Sequence, residues 1–270
     1  MKEYPTVLTI AGSDSGGGAG IQADIKAISA TGGYAASAIT AVTVQNTLGV
    51  VDVFPVPPTT IAAQISAVLS DIGANAIKIG MLHSAEVVRA VRETLDRFDV
   101  KNIVLDTVMV STSGHRLIEE SAIATLKELL LPRARVITPN VPEAEILVGE
   151  KITSQSQLPE IARRLSQNGC VSVLMKAGHL TEERLVDIFY NAEEDHCIEL
   201  VSKRSYTQNT HGTGCTLSSA FASYLAQGFG LDDAARAAKE YIAHAIEAGA
   251  DYHIGGGHGP VCHFWNLQRI

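Results

Sequence analysis

Two glycines and a cysteine just ahead of a helix form the most chemically loaded feature of this 270-residue chain. His211-Gly212-Thr213-Gly214-Cys215 runs directly into the small-residue segment Thr216–Ala222. Glycines there leave several backbone N–H groups unpaired and uncovered, a setting for a phosphoryl group passing through a charged transition state. The positive end of the helix dipole lowers the pKa of a first-turn thiol and exposes its sulfur, so a Cys215 thiolate could accept a proton, although phosphoryl transfer makes little demand on a base. In isolation, Gly-x-Gly-Cys reads better as a glycine-assisted turn with a core cysteine. The rest of the chain has to decide.

A second glycine run, Gly12 to Gly20, follows the first apolar strand and opens a helix. It lacks the lysine of a P-loop and the spacing of a dinucleotide fingerprint, but its glycines let backbone approach a ligand closely. Lys176 ends the apolar run 171–175 and must find an anion or solvent. Asn140 and Glu143 stand three apart at a helix start, a pattern that also serves as an ordinary cap. The nine histidines show no metal-binding pair spacing, so a zinc site is not expected; His211 and His179 are read as orienting loops.

These residues need a scaffold, and the pattern supplies one. Apolar strands are expected at 6–11, 37–44, 50–55, 76–80, 102–106, 135–138, 171–176, 186–190 and 198–201. Helices are expected at 20–31, 58–72, 85–98, 121–130, 142–148, 158–167, 214–227 and 232–250. This alternation predicts α/β architecture around a mainly parallel sheet, in one domain over 1–270, since no linker or repeat interrupts it. Ligands of such sheets collect at the carboxyl ends of strands. Polar breaks fall there six times: 12–20, 45–47, 80–81, 106–108, 140–143 and 176–179. Together they predict a cleft.

Composition narrows the partners. Apolar residues make up 46% and aromatics 5%, so small aliphatics fill the core. A formal charge of −8 without a basic stretch argues against nucleic acid. Cys170, Cys197, Cys215 and Cys262 lack metal or disulfide spacing and read as reduced thiols. The N-terminal apolar run is too short for a signal or a membrane span, so a cytoplasmic protein is expected.

Eight motifs in order carry a family resemblance over residues 8–264: Thr9–Asp14 through Gly17–Asp24, Gln45-Asn46-Thr47, Lys78–Leu82, Asp106–Met109, Thr138–Ala144, Met175–His179 and Asn209–Thr216. The chain resembles hydroxymethylpyrimidine/phosphomethylpyrimidine kinases of thiamine biosynthesis, in the ribokinase-like superfamily. That resemblance implies a three-layer α/β/α fold and an anion hole at Gly212, Thr213, Gly214 and Cys215, where most of the superfamily carries an aspartate base. It implies that Lys176 meets the transferring phosphate and that Asp106, Asn140, Lys176 and Lys239 face the nucleotide. Glu143 and Asp106 would serve Mg²⁺, which needs few protein carboxylates. Gln45, Gly12, Met81 and Val108 would hold the acceptor. The Gln45 amide complements the ring nitrogen and exocyclic amine of an aminopyrimidine, with Met81 and Val108 sandwiching the ring.

The expected reaction is transfer of the ATP γ-phosphate to 4-amino-5-hydroxymethyl-2-methylpyrimidine, then to its monophosphate. A mobile cover is expected for the second step, at Gly16–Gly20 or Ser111–His115. A homodimer is expected by analogy with the family. Pyridoxal kinase is the nearest alternative, disfavoured by Gln45-Asn46-Thr47, which resembles the pyrimidine pattern. A catalytically silent pyrimidine-binding protein is a third reading, disfavoured by the intact Gly212–Cys215, Lys176 and Glu143. The glycine-rich 255–260 segment resembles the family's C-terminal loop and has no assigned role beyond closing the fold.

Overall fold

The computed structural model describes residues 3–109, 118–166 and 171–267. The elements run β1 (Thr6–Asp14), α1 (Gly20–Ala30), β2 (Tyr34–Asn46), β3 (Gly49–Pro55), α2 (Pro58–Asp71), β4 (Ala76–Ile79), α3 (Ala85–Leu95), β5 (Ile103–Leu105), α4 (Glu120–Leu129), β6 (Val136–Ile137), α5 (Val141–Val148), α6 (Leu158–Ser166), β7 (Ser172–Met175), β8 (Arg184–Asn191), β9 (His196–Lys203), α7 (Thr213–Ala226) and α8 (Leu231–Gly249). The strands make one sheet in the order β3-β2-β1-β4-β5-β6-β7-β8-β9. From β2 to β7 every neighbour is parallel. Antiparallel β3 closes one edge and the β8–β9 pair the other.

Period-two alternation decides which layer each strand residue joins. Leu8, Ile10, Ile77, Ile79, Ile103, Leu105, Ile137 and Val173 pack under α2 to α6 through Ile61, Val87, Leu126, Ala144 and Ile161. Val7, Ala76, Val104, Val136 and Leu174 pack on the opposite face with Ala27 of α1, Phe221 of α7 and Ala238 of α8. With both faces covered, the central strands are buried throughout, which is why they read as continuous apolar runs. The result is the expected three-layer α/β/α ribokinase-like fold.

All of the expected strands and helices form, with shifted ends. β1 and β2 continue pairing past a register shift at Ala11/Ser13, through Asp14↔Thr43. β3 then zips onto β2 as far as Asn46. Gln45 therefore lies inside a strand, beside a second register shift, and not in the loop that the sequence suggests. Helix starts follow their expected chemistry. Pro58 opens α2, and Asn140 caps α5 by accepting from the Glu143 N–H at 2.9 Å while the Glu143 carboxylate accepts from the Asn140 N–H, also at 2.9 Å.

Candidate active site

The carboxyl ends of the parallel strands open into a cavity of about 660 Å³. The candidate catalytic, acceptor, nucleotide and metal residues all line it: Gly12, Gln45, Met81, Asp106, Val108, Asn140, Glu143, Lys176, Gly212, Thr213, Gly214, Cys215 and Lys239. Of the earlier expectations, Cys170 and Ser111–His115 lie outside the described residues.

One end of the cavity is built for an anion. Gly212 caps α7 with φ +79°, and a Cβ there would collide with the Gly18 carbonyl, so only glycine makes this turn. Gly212 to Cys215 line the cavity with the helix dipole behind them. The Thr213 N–H donates to the Thr210 carbonyl at 3.3 Å, which leaves the Gly214 and Cys215 N–H groups, ahead of the first intrahelical acceptor, to meet an anion. Lys176 hangs over this turn; its Nζ is 3.3 Å from where a Gly214 Cβ would sit. It donates to Asp106 Oδ1 at 3.1 Å. Burial alone would lower this lysine, but the Asp106 and Glu143 carboxyls hold it above the ordinary lysine range.

The two acids beside Lys176 divide in behaviour. Burial would raise Asp106, yet the charges of Lys176 and Lys78 and the Thr138 hydroxyl, 2.8 Å away, keep it below the usual carboxylate range. Burial lifts Glu143 to about 7, opposed by Lys176 and reinforced by Asp106. Glu143 closes the capping box of α5 and accepts from Thr107 Oγ1 at 3.1 Å, so the cap reading is realised on a residue that also lines the cavity. Asp106 Oδ2 is buried without a hydrogen-bond partner, 3.8 Å from the Gly214 Cβ position. An orphaned carboxylate oxygen opening on an anion hole, beside a second carboxylate, is a donor set that fits a hard divalent cation shared with phosphate.

Cys215 departs from expectation. Its residue is partly exposed to the cavity, but burial pushes the thiol up to about 11, with Asp24 and Asp106 adding, against Lys78 and the Gly20 N–H. The first-turn dipole loses to desolvation, so the sulfur is a neutral thiol and not the thiolate that the dipole alone would favour. Beneath it lies a network that the sequence reading missed. Lys78 and Asp24 form a fully buried ion pair at 2.8 Å, and Asp24 also accepts from Thr9 Oγ1 (2.6 Å) and Ser219 Oγ (2.7 Å). Burial opposes the Lys78 charge, but Asp24 beside it keeps the ammonium above its ordinary range. The signal was available: a lysine inside the apolar strand Ala76–Ile79 requires a partner.

At the other end, Gln45 projects from the β2–β3 hairpin toward His211, 3.3 Å between Nε2 atoms. Hydrogen bonds from His211 and the Ala19 and Gly16 backbone overcome the burial that would raise Asp14, and hold it charged below the usual range. His211 therefore carries its proton on Nε2 and donates to Asp14 Oδ2 at 2.8 Å. Thr43 spends its own proton on the Ser13 carbonyl, 2.8 Å away. The consistent assignment turns the Gln45 amide so that its oxygen faces His211 and its nitrogen donates to Thr43 Oγ1. His211 thus orients a loop, as expected. Asp14 does more than the sequence showed, because it also gathers the N–H groups of Gly16, Gly18 and Ala19 at 2.8–3.0 Å.

Lys26 ties the same loop through the Gly17 carbonyl at 2.8 Å, so Gly16–Gly20 is braced and not the loosely held cover expected. Gly12 leaves room for Met81, whose Cε lies 2.6 Å from the Cβ position there. Lys239 reaches the cavity but donates to Asp187 at 2.7 Å, which offsets its charge.

The model of the family described as phosphomethylpyrimidine kinase matches residues 14–262. A thiamine biosynthesis bifunctional protein of Geobacter sulfurreducens is 48% identical over 98% of the chain and 53% of its own length. The chain thus spans about half the length of the first curated relatives it matches. A hydroxymethylpyrimidine/phosphomethylpyrimidine kinase of Rhizobium meliloti is 47% identical over 95% of this chain and 96% of its own. Among solved structures, an ADP complex of Bacillus subtilis pyridoxal kinase superposes with a TM-score of 0.90 at 34% identity, covering 99% of this chain and 100% of that one.

Proposed function

This chain belongs to the phosphomethylpyrimidine kinase family, and from that premise we propose that it phosphorylates 4-amino-5-hydroxymethyl-2-methylpyrimidine with ATP. It then phosphorylates the monophosphate to the diphosphate, in thiamine diphosphate biosynthesis. The observation that carries this reading is the meeting of an anion hole, a buried lysine and two buried acids with an oriented amide in one cavity.

The pyrimidine rests against Met81 and Val108, and Gln45 pairs with its polar edge. Its hydroxymethyl oxygen bonds to the γ-phosphorus as the bond to the ADP oxygen breaks. Lys176 and the first N–H groups of α7 hold the charge that shifts between the oxygens. A neutral Cys215 suits a loose transition state that makes little demand on a base, the hydroxyl proton leaving late to solvent or phosphate. Mg²⁺, held by Asp106 and Glu143, would neutralise phosphate charge; Asn140 and Lys239 are read as nucleotide contacts.

The reading extends to one kinase domain over 1–270 in the cytoplasm, supported by three free cysteines among the described residues. No helix among those residues is long and apolar enough to cross a membrane. A homodimer is supported by the exposed apolar side chains Val42, Val44, Val51 and Phe54 on the edge hairpin. No nucleic-acid partner is proposed, since the net charge is −8. The test is a panel of pyrimidine and pyridoxal acceptors with ATP and Mg²⁺, read by mass spectrometry. Monophosphate followed by diphosphate of the aminopyrimidine supports the reading. Product from pyridoxal alone contradicts it, and a monophosphate that stays inert removes the second step.

A further inference from the structure

The glycine-rich segment 255–259 runs between the two ends of the cleft and touches both through backbone. On the hairpin side, the His258 N–H donates to the Thr47 carbonyl at 2.9 Å and the Gly257 N–H to Thr47 Oγ1 at 3.2 Å. A Cβ on Gly257 would collide with the Thr47 carbonyl and stand 3.0 Å from the Leu48 nitrogen, where no side chain can give way. On the anion-hole side, the Gly259 carbonyl accepts from the His211 N–H at 3.0 Å, and Pro260 pairs with His211 as a parallel bridge. The root of the segment is fixed by Asn209, whose Nδ2 donates to the Gly249 and Tyr252 carbonyls at 2.8 and 2.6 Å.

We infer that this segment is a rigid spacer that sets the distance between Gln45 and the Gly212–Cys215 turn, and so positions the acceptor hydroxyl against the transferring phosphoryl group. The inference rests on the acceptor role given to Gln45 above. Thr47 is two residues from Gln45, about 7 Å of extended chain, so a displacement at Thr47 is passed to the amide with little slack. The hairpin needs such a hold, because β3 is an edge strand with Val51 and Phe54 exposed. Glycines allow backbone to meet backbone, which fixes the separation more tightly than flexible side chains would. A misplacement of about 1 Å costs about 10²-fold in rate, so a spacer is a means of control.

The test compares Gly257→Ala with Gly256→Ala, whose Cβ would meet only Leu48 Cδ2 at 3.8 Å. Steady-state kinetics are run with acceptor and ATP varied separately, and hydrogen exchange is followed in the 43–55 hairpin. Gly257→Ala should raise the acceptor KM and lower acceptor kcat/KM by about 10²-fold, leave the ATP KM unchanged and speed hairpin exchange. Gly256→Ala should match wild type in all of these. Thr47→Val should cost about tenfold in acceptor kcat/KM, the upper end for one lost hydrogen bond, with Thr47→Ser restoring it. This second pair decides the matter if Gly257→Ala does not fold. Wild-type acceptor KM and hairpin exchange in folded Gly257→Ala, or an equal rise in the ATP KM, overturns the spacer. If wild type fails to phosphorylate the aminopyrimidine, the functional reading falls, and hairpin exchange alone still judges the spacer.

Discussion

The two ends of the cleft are held in opposite ways. Around the anion hole, Lys78, Asp24 and Asp106 are nearly or wholly buried, and Lys176 and Glu143 are mostly so. Each of these charges has a neighbour of opposite sign or a hydrogen bond within about 3 Å. The acceptor end instead depends on a hairpin at the sheet edge, whose outer side chains Val42, Val44 and Phe54 are exposed. The contrast separates two tasks. Holding a transferring phosphate requires fixed charges in a low-dielectric setting, and those come from the sheet interior. Choosing an acceptor requires a few directed polar groups, and those sit on an edge that can differ between proteins without disturbing the core.

If the phosphate end is as tightly coupled as its geometry implies, Lys78→Met should have the largest effect. It leaves the Asp24 carboxyl buried without its cation, with only the Thr9 and Ser219 hydroxyls, and should cost about 3–5 kcal/mol of stability in denaturant unfolding. A loss under 1 kcal/mol would show that the pair is not integral to that end. Lys176→Ala comes next. Its turnover should fall about 10²–10³-fold, the scale of one preorganised donor, with pyrimidine affinity retained in calorimetry. Unchanged turnover in the folded variant would remove Lys176 from the mechanism.

Cys215 should have the smallest effect. Cys215→Ser should keep measurable turnover, because a thiol raised by burial is not serving as a thiolate base. The sign can be checked directly in the unmodified protein. A thiol near 11 stays protonated well above neutrality, so alkylation by iodoacetamide, followed by peptide mapping, should remain slow to pH 9 and rise only beyond it. A rate that levels off by pH 8 would mean a lowered thiol and restore the base reading.

Much of this molecule was legible in its residues, for identifiable reasons. Parallel strands covered on both faces leave unbroken apolar runs, so Ile77, Ile103 and Val173 marked the sheet, and the polar breaks after them marked the cleft. Gln45 was misplaced in a loop because the outer face of its strand is apolar at Val42 and Val44, which blurs the alternation that would show the strand continuing. Asp24 gave no sign of its burial, since an acid in a helix reads as a solvated face until its partner on another strand is known. The role of Cys215 stayed open in the sequence because dipole and desolvation act in opposite directions, and only packing decides between them.

The claim that the two ends are separable is tested most directly with Gln45→Met, which keeps the side chain's length and removes its amide. Calorimetric titration of this variant with the aminopyrimidine, and separately with a non-hydrolysable ATP analogue and Mg²⁺, reads each end on its own. The account predicts a loss of about 1–3 kcal/mol in pyrimidine affinity, from a buried polar edge left unpaired, with nucleotide affinity unchanged. Wild-type affinity for the pyrimidine, or a matching loss for the nucleotide, would contradict it.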